Sequence, residues 1–271
     1  MPLIQEQFFD IGANLTHQSF KKDLDSVLTK ANKLGVKRLS VTGSSVKDSL
    51  EAFEITQRYP KTCISTAGIH PHNAKEYSTS AFSEIKDLLK NDLVKSIGET
   101  GLDFNRNFSS PEDQQKSFEA HLELSIELNK PLFLHERDAH EKFVEITSLY
   151  LKDLPKSVVH CFRTEEALKK YLDMGFYIGI TGWLCDERRG KHLEELISQI
   201  PLEKLMIETD APYLLPRDMD IDKSSRNEPK YLNHIARKVS EFRRESEELV
   251  FSAIYMNSLD FFDISVIKLL D

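Results

Sequence analysis

Cysteine is scarce in this chain, and its spacing excludes a disulfide framework or a cysteine-based zinc site. Cys63, Cys161 and Cys185 form no CxxC pair in 271 residues, which is typical of a reducing compartment. No apolar run approaches the roughly 18 residues that a membrane-spanning helix needs. The opening MPLIQEQFFDIGANL also lacks a basic segment followed by a long apolar core. We therefore expect a cytoplasmic protein without a signal peptide or membrane association.

An excess of basic residues is also missing. The chain has 36 Lys and Arg against 44 Asp and Glu, a formal net charge of -8 at pH 7. This charge argues against a broad basic surface that binds duplex DNA without specificity. It still allows a nucleic-acid substrate, because a metal ion and a few arginines can supply positive charge locally. No exposed heptad or large apolar stripe predicts an oligomer, so we expect a monomer.

Short apolar runs rich in β-forming residues alternate with stretches of helical periodicity. The helical pattern is clearest at 45–59 and 110–130, where Ser110 and Pro111 are typical of a helix start. This alternation predicts an α/β fold, a single (β/α)8 TIM-like barrel domain over residues 1–271. An open doubly wound sheet is the alternative, but no glycine-rich phosphate loop follows the first strand. The predicted strands are 8–14, 36–43, 63–70, 93–99, 131–136, 157–162, 175–182 and 204–210.

Acidic and imidazole side chains recur at the ends of five predicted strands. The C-terminal ends of barrel strands converge on one face, where active sites are built. Taken singly, each side chain has an ordinary explanation, such as a hydrogen-bonded core histidine, an ion-pair partner or a helix cap. Their shared position predicts a divalent-metal site that activates water for hydrolysis. The side chains are His70, Glu99, His135, His160 and Asp210.

Several arginines fall in the loops that follow predicted strands five to eight. Each could be an ordinary solvated charge, but together they favour a phosphate-bearing substrate, because arginine binds phosphate with two hydrogen bonds. His70 is a further candidate for phosphate contact, and Glu99 or Asp210 for accepting a proton from the attacking water. The arginines are Arg137, Arg163, Arg188, Arg189, Arg217 and Arg226.

Other conspicuous residues have no clear role. Cys161 follows His160 directly and should point away from it, because strand side chains alternate. Trp183 follows the seventh strand and is either a base-stacking residue or a packing residue. His140 is ambiguous. Four histidines away from strand ends are expected to be surface or packing residues, namely His17, His121, His192 and His234.

The chain resembles the TatD family of metal-dependent deoxyribonucleases. The resemblance covers nearly the whole chain, from about Phe8 to Pro229, and several of its motifs are long and uninterrupted. It implies a barrel of the metallo-dependent hydrolase type. The matching stretches are FFDIGANLT, STAGIHPH, SIGETGLDFNRNFS, LHERDAHE, VVHCF, YIGITGWLCDERRG, EKLMIETDAPYLLPRD and SSRNEP.

The resemblance also implies an activity and its metal ligands. It implies hydrolysis of DNA phosphodiester bonds, with 3′-to-5′ exonuclease action. Single-stranded ends are the expected substrate, because a barrel mouth is narrow for duplex DNA, and RNA is a second candidate. By motif, the metal roles fall on Glu99, His135, His160 and Asp210, with His70 beside the site.

The first strand departs from the broader family. Many members carry a DxHxH motif whose two histidines hold a metal, whereas this chain has Gly12 and Asn14 at those positions. The variant is typical of the branch that it most resembles, and it leaves the number of ions at one or two. An oxygen-richer site favours Mg²⁺, with Mn²⁺ or Zn²⁺ as alternatives.

Two other functions stay open at this stage. The same scaffold could hydrolyse a small phosphate ester, an ester or an amide, although the arginines favour phosphate. The missing histidines of the first strand could instead indicate a binding protein without turnover, although the full ligand set argues against it.

Overall fold

The computed structural model describes residues 6–188 and 190–265. Its eight strands lie in one sheet in chain order, and β3 to β7 pair in parallel. The predicted (β/α)8 fold class is confirmed, and every predicted strand is found. The strands are β1 Phe8–Ala13, β2 Val36–Val41, β3 Cys63–Ala67, β4 Val94–Asp103, β5 Leu132–Arg137, β6 Ser157–His160, β7 Tyr177–Ile180 and β8 Leu205–Ile207.

Helices follow the strands, and side-chain caps fix where several of them begin. Ser110 accepts a hydrogen bond from the Asp113 amide at 3.1 Å, with Pro111 at the first helical position, as predicted. Ser45 caps the second helix in the same way. The helices are α1 Leu24–Lys33, α2 Val46–Arg58, α3 Thr79–Leu88, α4 Pro111–Leu128, α5 His140–Tyr150, α6 Glu165–Asp173, α7 Lys191–Ile197, α8 Leu232–Glu241 and α9 Glu247–Phe261.

The chain divides into two compact units, residues 41–178 and residues 1–40 with 179–271. In the first unit, stacked rings of Phe118 and Phe143, 5.1 Å apart, join α4 to α5. In the second unit, the ring of Phe8 on β1 meets Phe251 on α9 at 5.0 Å. The expectation of a single domain stays a prediction. Within the described residues, no helix is long and apolar enough to span a membrane.

Two glycines allow the backbone that directly follows β3 to pass close to the middle of β4. A Cβ atom added to Gly68 would lie only 2.6 Å from Gly98 Cα. Gly98 itself has φ of +137°, a conformation that side chains rarely adopt, and its added Cβ would lie 2.3 Å from the Phe133 carbonyl oxygen. Glycine at both positions therefore leaves room for this close backbone contact beside Glu99.

Candidate active site

Glu99 lies at the centre of an imidazole cluster in the unit of residues 41–178. Its Oε1 atom is 2.9 Å from His160 Nε2, 3.0 Å from His135 Nδ1 and 3.4 Å from His70 Nε2. All four side chains are buried. Four of the five strand-end residues predicted from the sequence therefore meet around one carboxylate oxygen.

Strand register brings two of these histidines together. His135 on β5 and His160 on β6 are direct partners in the parallel ladder, so their side chains project to the same face. Glu99 is aligned by its own amide, which donates to the Gly43 carbonyl at 2.7 Å. The backbone ladder thus determines where the metal-ligand candidates of β4, β5 and β6 lie.

His70 is oriented by its own loop. Its Nδ1 atom accepts the amide of His72 at 3.0 Å, which leaves Nε2 facing Glu99. Its backbone amide donates to the Ser44 carbonyl at 2.9 Å. The preceding amide, of Ile69, donates to the buried ring of His121 at 3.1 Å. His121 was predicted to be a surface or packing residue, and it is a buried residue that binds the loop that carries His70.

Asp103 is a second buried carboxylate beside this cluster. Strand β4 continues past Glu99 and ends at Asp103, whose Oδ2 accepts from His72 Nε2 at 2.6 Å and from Arg137 Nη2 at 2.5 Å. His135 Nε2 lies 3.6 Å from the same oxygen. The sequence does place Asp103 after Glu99, but its alignment with His72 and Arg137 depends on β4 being longer than predicted.

The charges of the cluster follow from these contacts. Burial by itself would raise the pKa of Glu99, but His70 and His160 hold it well below its usual value. Burial also opposes ionisation of Asp103, whose pKa is nevertheless lowered by the nearby ring of His135 and by hydrogen bonds from His72 and Arg137. The pKa of His70 falls to about 4, chiefly because burial disfavours its charged form. Both carboxylates are therefore ionised at neutral pH, and His70 is neutral.

Cys161 contradicts the prediction made for it. It was expected to point away from His160, but donor atoms of Cys161, His135 and His160 all lie within 4.8 Å of one another. The reason is that β6 ends at His160 and Cys161 has φ of 63°, so strand alternation no longer applies. Although burial raises the pKa of the thiol, His160 and His135 bring it down to about 7.

Asp210 lies in the other unit, just after β8. Its side-chain Oδ1 accepts from Asn14 Nδ2 at 2.9 Å, and its amide donates to the Gly12 carbonyl at 2.9 Å. Thr209, the preceding residue, donates to the buried Asp10 from its amide at 2.9 Å and from its hydroxyl at 2.5 Å. The two positions that carry histidine in the broader family here contact Asp210 directly, Asn14 through its side chain and Gly12 through its carbonyl.

Most of the predicted phosphate-binding arginines have carboxylate partners. Arg188 makes a two-pronged contact with Asp186, at 2.9 and 2.7 Å, and Arg163 lies 3.3 Å from Asp138. Arg226 lies 2.5 Å from Asp23 and also packs over the ring of Phe20. Arg217 is exposed, and Arg189 lies outside the described residues. Their role in binding substrate stays a prediction.

The remaining residues singled out from the sequence lie elsewhere. Trp183 is half-buried in the 3-10 helix Gly182–Cys185 after β7. His140 Nδ1 lies 2.9 Å from the Tyr171 hydroxyl. His234 Nε2 lies 2.7 Å from Asp218, and His17 caps a short helix. His192 is exposed, and donor atoms of His234, Asp218 and Cys185 lie within 4.8 Å of one another.

Comparisons with known proteins identify the family of this chain. Residues 9–263 match the family described as TatD related DNase. The chain is 47% identical over 259 residues to a 3′-5′ ssDNA/RNA exonuclease TatD from Escherichia fergusonii, covering 95% of this chain and 99% of that protein. Its Salmonella typhimurium counterpart is 45% identical, with 94% and 99% covered.

Solved structures give the same result for the fold. A TatD family hydrolase from Entamoeba histolytica is 28% identical, with a TM-score of 0.86 over 97% of this chain and 100% of that chain. A TatD homologue from Escherichia coli superposes with a TM-score of 0.88 over 97% of this chain and 100% of that chain. At 24% identity, the latter supports the fold alone.

Proposed function

Because this chain belongs to the family of TatD-related DNases, we propose that it is a metal-dependent exonuclease that removes nucleotides from the 3′ end of single-stranded DNA. RNA is a second proposed substrate, as the printed names of its relatives include both nucleic acids. The observation that carries the proposal is the contact of one Glu99 oxygen with nitrogens of His70, His135 and His160.

The donor set fits a divalent cation. Donor atoms of His70, Glu99 and His135 lie within 4.8 Å of one another, and His135 Nε2 is buried without a hydrogen-bond partner among the described residues. We assign the metal to Glu99, His135, His160 and Asp210. A divalent cation there would supply positive charge that acidifies water and offsets the charge of a phosphodiester. We include Asp210 among the metal ligands because it lies just after β8 and matches the motif of the family.

The chain's own groups supply the remaining chemistry. Glu99 and Asp210 are the proposed acceptors for the proton of the attacking water. His70 is neutral at physiological pH, and because its Nδ1 accepts the His72 amide, its proton lies on Nε2, from which it can donate to a phosphate oxygen. Arg137 is held at the edge of the cluster by Asp103, and Arg163, Arg188, Arg217 and Arg226 complete the proposed phosphate contacts.

We propose Mg²⁺ as the ion, one or two per chain, because Gly12 and Asn14 remove two nitrogen ligands from the first strand. The imidazoles around Glu99 also suit Mn²⁺ and Zn²⁺, so all three ions belong in the assay. We further propose a monomer in the cytoplasm. In support of that location, none of the three cysteines, all within the described residues, is in a disulfide.

The test is digestion of single-stranded DNA and RNA labelled at either end, with Mg²⁺, Mn²⁺, Zn²⁺ or EDTA. The expected result is stepwise shortening from the 3′ end, which EDTA abolishes. Glu99→Gln should reduce the rate by at least about 100-fold, because it removes a charged ligand and a proposed proton acceptor. Calorimetry should show that the same variant binds the ion more weakly.

Glu145→Gln is the matched control, because Glu145 is exposed on α5 and pairs only with Lys142 within the described residues. It should digest DNA as the unmodified protein does. A panel of small phosphate esters, carboxylic esters and amides covers the alternative substrates. Turnover of one of these, without loss of nucleotides from DNA or RNA, would overturn the nuclease proposal.

A further inference from the structure

Phe108 is an unusual side chain in the unit of residues 41–178, because it is a large aromatic ring that is 55% exposed. Every other aromatic residue of this unit is at least half-buried. An exposed phenyl ring gains free energy when an apolar or aromatic surface covers it. The ring is therefore available to a flat ligand.

The ring is connected to the candidate active site through two imidazoles. Its centroid lies 4.8 Å from that of His72, in an edge-to-face arrangement. His72 lies 4.3 Å from the ring of His70, which in turn contacts Glu99. Two ring contacts thus connect Phe108 to His70, and His70 contacts the carboxylate at which the phosphodiester is proposed to be cleaved.

The loop that carries Phe108 is firmly held on both sides. Before the ring, Asp103 Oδ1 accepts the amides of Asn105 at 3.0 Å and Arg106 at 3.1 Å. After it, the hydroxyl of Ser109 donates to the His72 carbonyl at 3.0 Å. Since the neighbouring backbone is fixed, the ring's exposure does not result from a loosely held loop.

The positively charged side chain of Arg106 lies beside the ring of Phe108. The guanidinium carbon of Arg106 lies 5.9 Å from the ring centroid of Phe108, at the outer limit of a cation–π contact. An aromatic face next to an arginine suits a nucleotide, whose base stacks on the ring while its phosphate pairs with the cation. Both groups lie in the loop that follows β4.

On the basis of the proposed function, we propose that Phe108 and Arg106 form a nucleobase-binding subsite that stacks a base near the 3′ end of the substrate strand. Phe108 is then a substrate-binding residue that stacks on a base, and it takes no part in bond cleavage. Stacking on a phenyl ring accepts any of the bases, so the subsite recognises a base without selecting its sequence.

The test compares Phe108→Ala with the unmodified protein on two DNA strands, one normal and one lacking the last two bases at its 3′ end. Loss of a stacked base should raise KM about tenfold on the normal strand, with little change in kcat. On the abasic strand the two proteins should have the same KM. Phe108→Trp should restore a low KM on the normal strand.

Leu149→Ala is the control, because Leu149 is 79% exposed on α5 and should leave both KM values unchanged. If Phe108→Ala has the same KM as the unmodified protein on the normal strand, the subsite is refuted. An equal rise in KM on both strands, or a fall in kcat without a change in KM, would also refute it. Failure of the unmodified protein to digest any strand would instead refute the proposed nuclease function.

Discussion

Acid should destabilise this protein through His121, a side chain outside the imidazole cluster. His121 is fully buried on α4, and burial lowers its pKa from 6.5 to about 4. Its Nε2 accepts the amide of Ile69 at 3.1 Å, and its Nδ1 donates to the Ser117 carbonyl at 2.6 Å. Protonation would place a second N–H opposite the Ile69 amide, so the neutral ring is the form that the fold requires.

The sign of the pH effect follows from the direction of this shift. Because the pKa is lower in the folded chain than in the unfolded chain, the contribution to stability is fully present above pH 6.5 and is lost as the pH falls towards 4. A separation of about 2.5 pKa units corresponds to roughly 3 kcal/mol. At pH 4.5, most of this free energy should already be lost.

The assay is urea unfolding of the unmodified protein and of His121→Gln at pH 7.5 and pH 4.5. The carbonyl oxygen of glutamine can accept the Ile69 amide without titrating, so the variant should lose about 2 to 3 kcal/mol less on acidification. Taking the difference between the two proteins cancels other buried groups that titrate, such as His70. If both proteins lose the same free energy, this account of His121 is refuted.

Substitutions at Gly68 and Asp10 test two further structural positions, with Gly175→Ala as a control. Gly68→Ala should lower the free energy of unfolding in urea by about 3 kcal/mol or more and reduce digestion of DNA, because the added Cβ would meet the Gly98 backbone. Gly175→Ala should lower the same free energy by only about 1 kcal/mol, because no atom lies within 4 Å of the added Cβ. Burial raises the pKa of Asp10 to about 7, so its contribution to stability is lost as the pH rises from about 4 to 7. Asp10→Asn should remove that decline, and an unchanged slope of unfolding free energy against pH would contradict this.

The sequence predicted the architecture because the relevant signals are local. Each strand is a short apolar run whose pattern can be seen within a few residues, and Ser110 with Pro111 identifies the start of α4. The neighbouring parallel strands β4, β5 and β6 then bring Glu99, His135 and His160 together. That step needs only the repeat of strand and helix, so the sequence could indicate that these side chains lie close together, while their role as metal ligands stays a prediction.

What the sequence did not predict depends on backbone geometry or on partners distant in the chain. Cys161 adopts a left-handed conformation without being glycine, and no local pattern signals this turn. Arg226 pairs with Glu228, two positions along the chain, but also with Asp23, which lies 203 positions away. Pairing of this kind depends on the completed fold, so a surface arginine cannot be assigned to phosphate from its position in a loop alone.

Asp103 contacts both the imidazole cluster around Glu99 and the loop that carries Phe108. One of its oxygens faces His135, His72 and Arg137, while the other holds the amides of the loop that leads to Phe108. Because these donors keep the carboxylate ionised although it is fully buried, it can bind both sides strongly. Asp103 therefore binds His72 and Arg137 with one oxygen and the backbone of the Phe108 loop with the other.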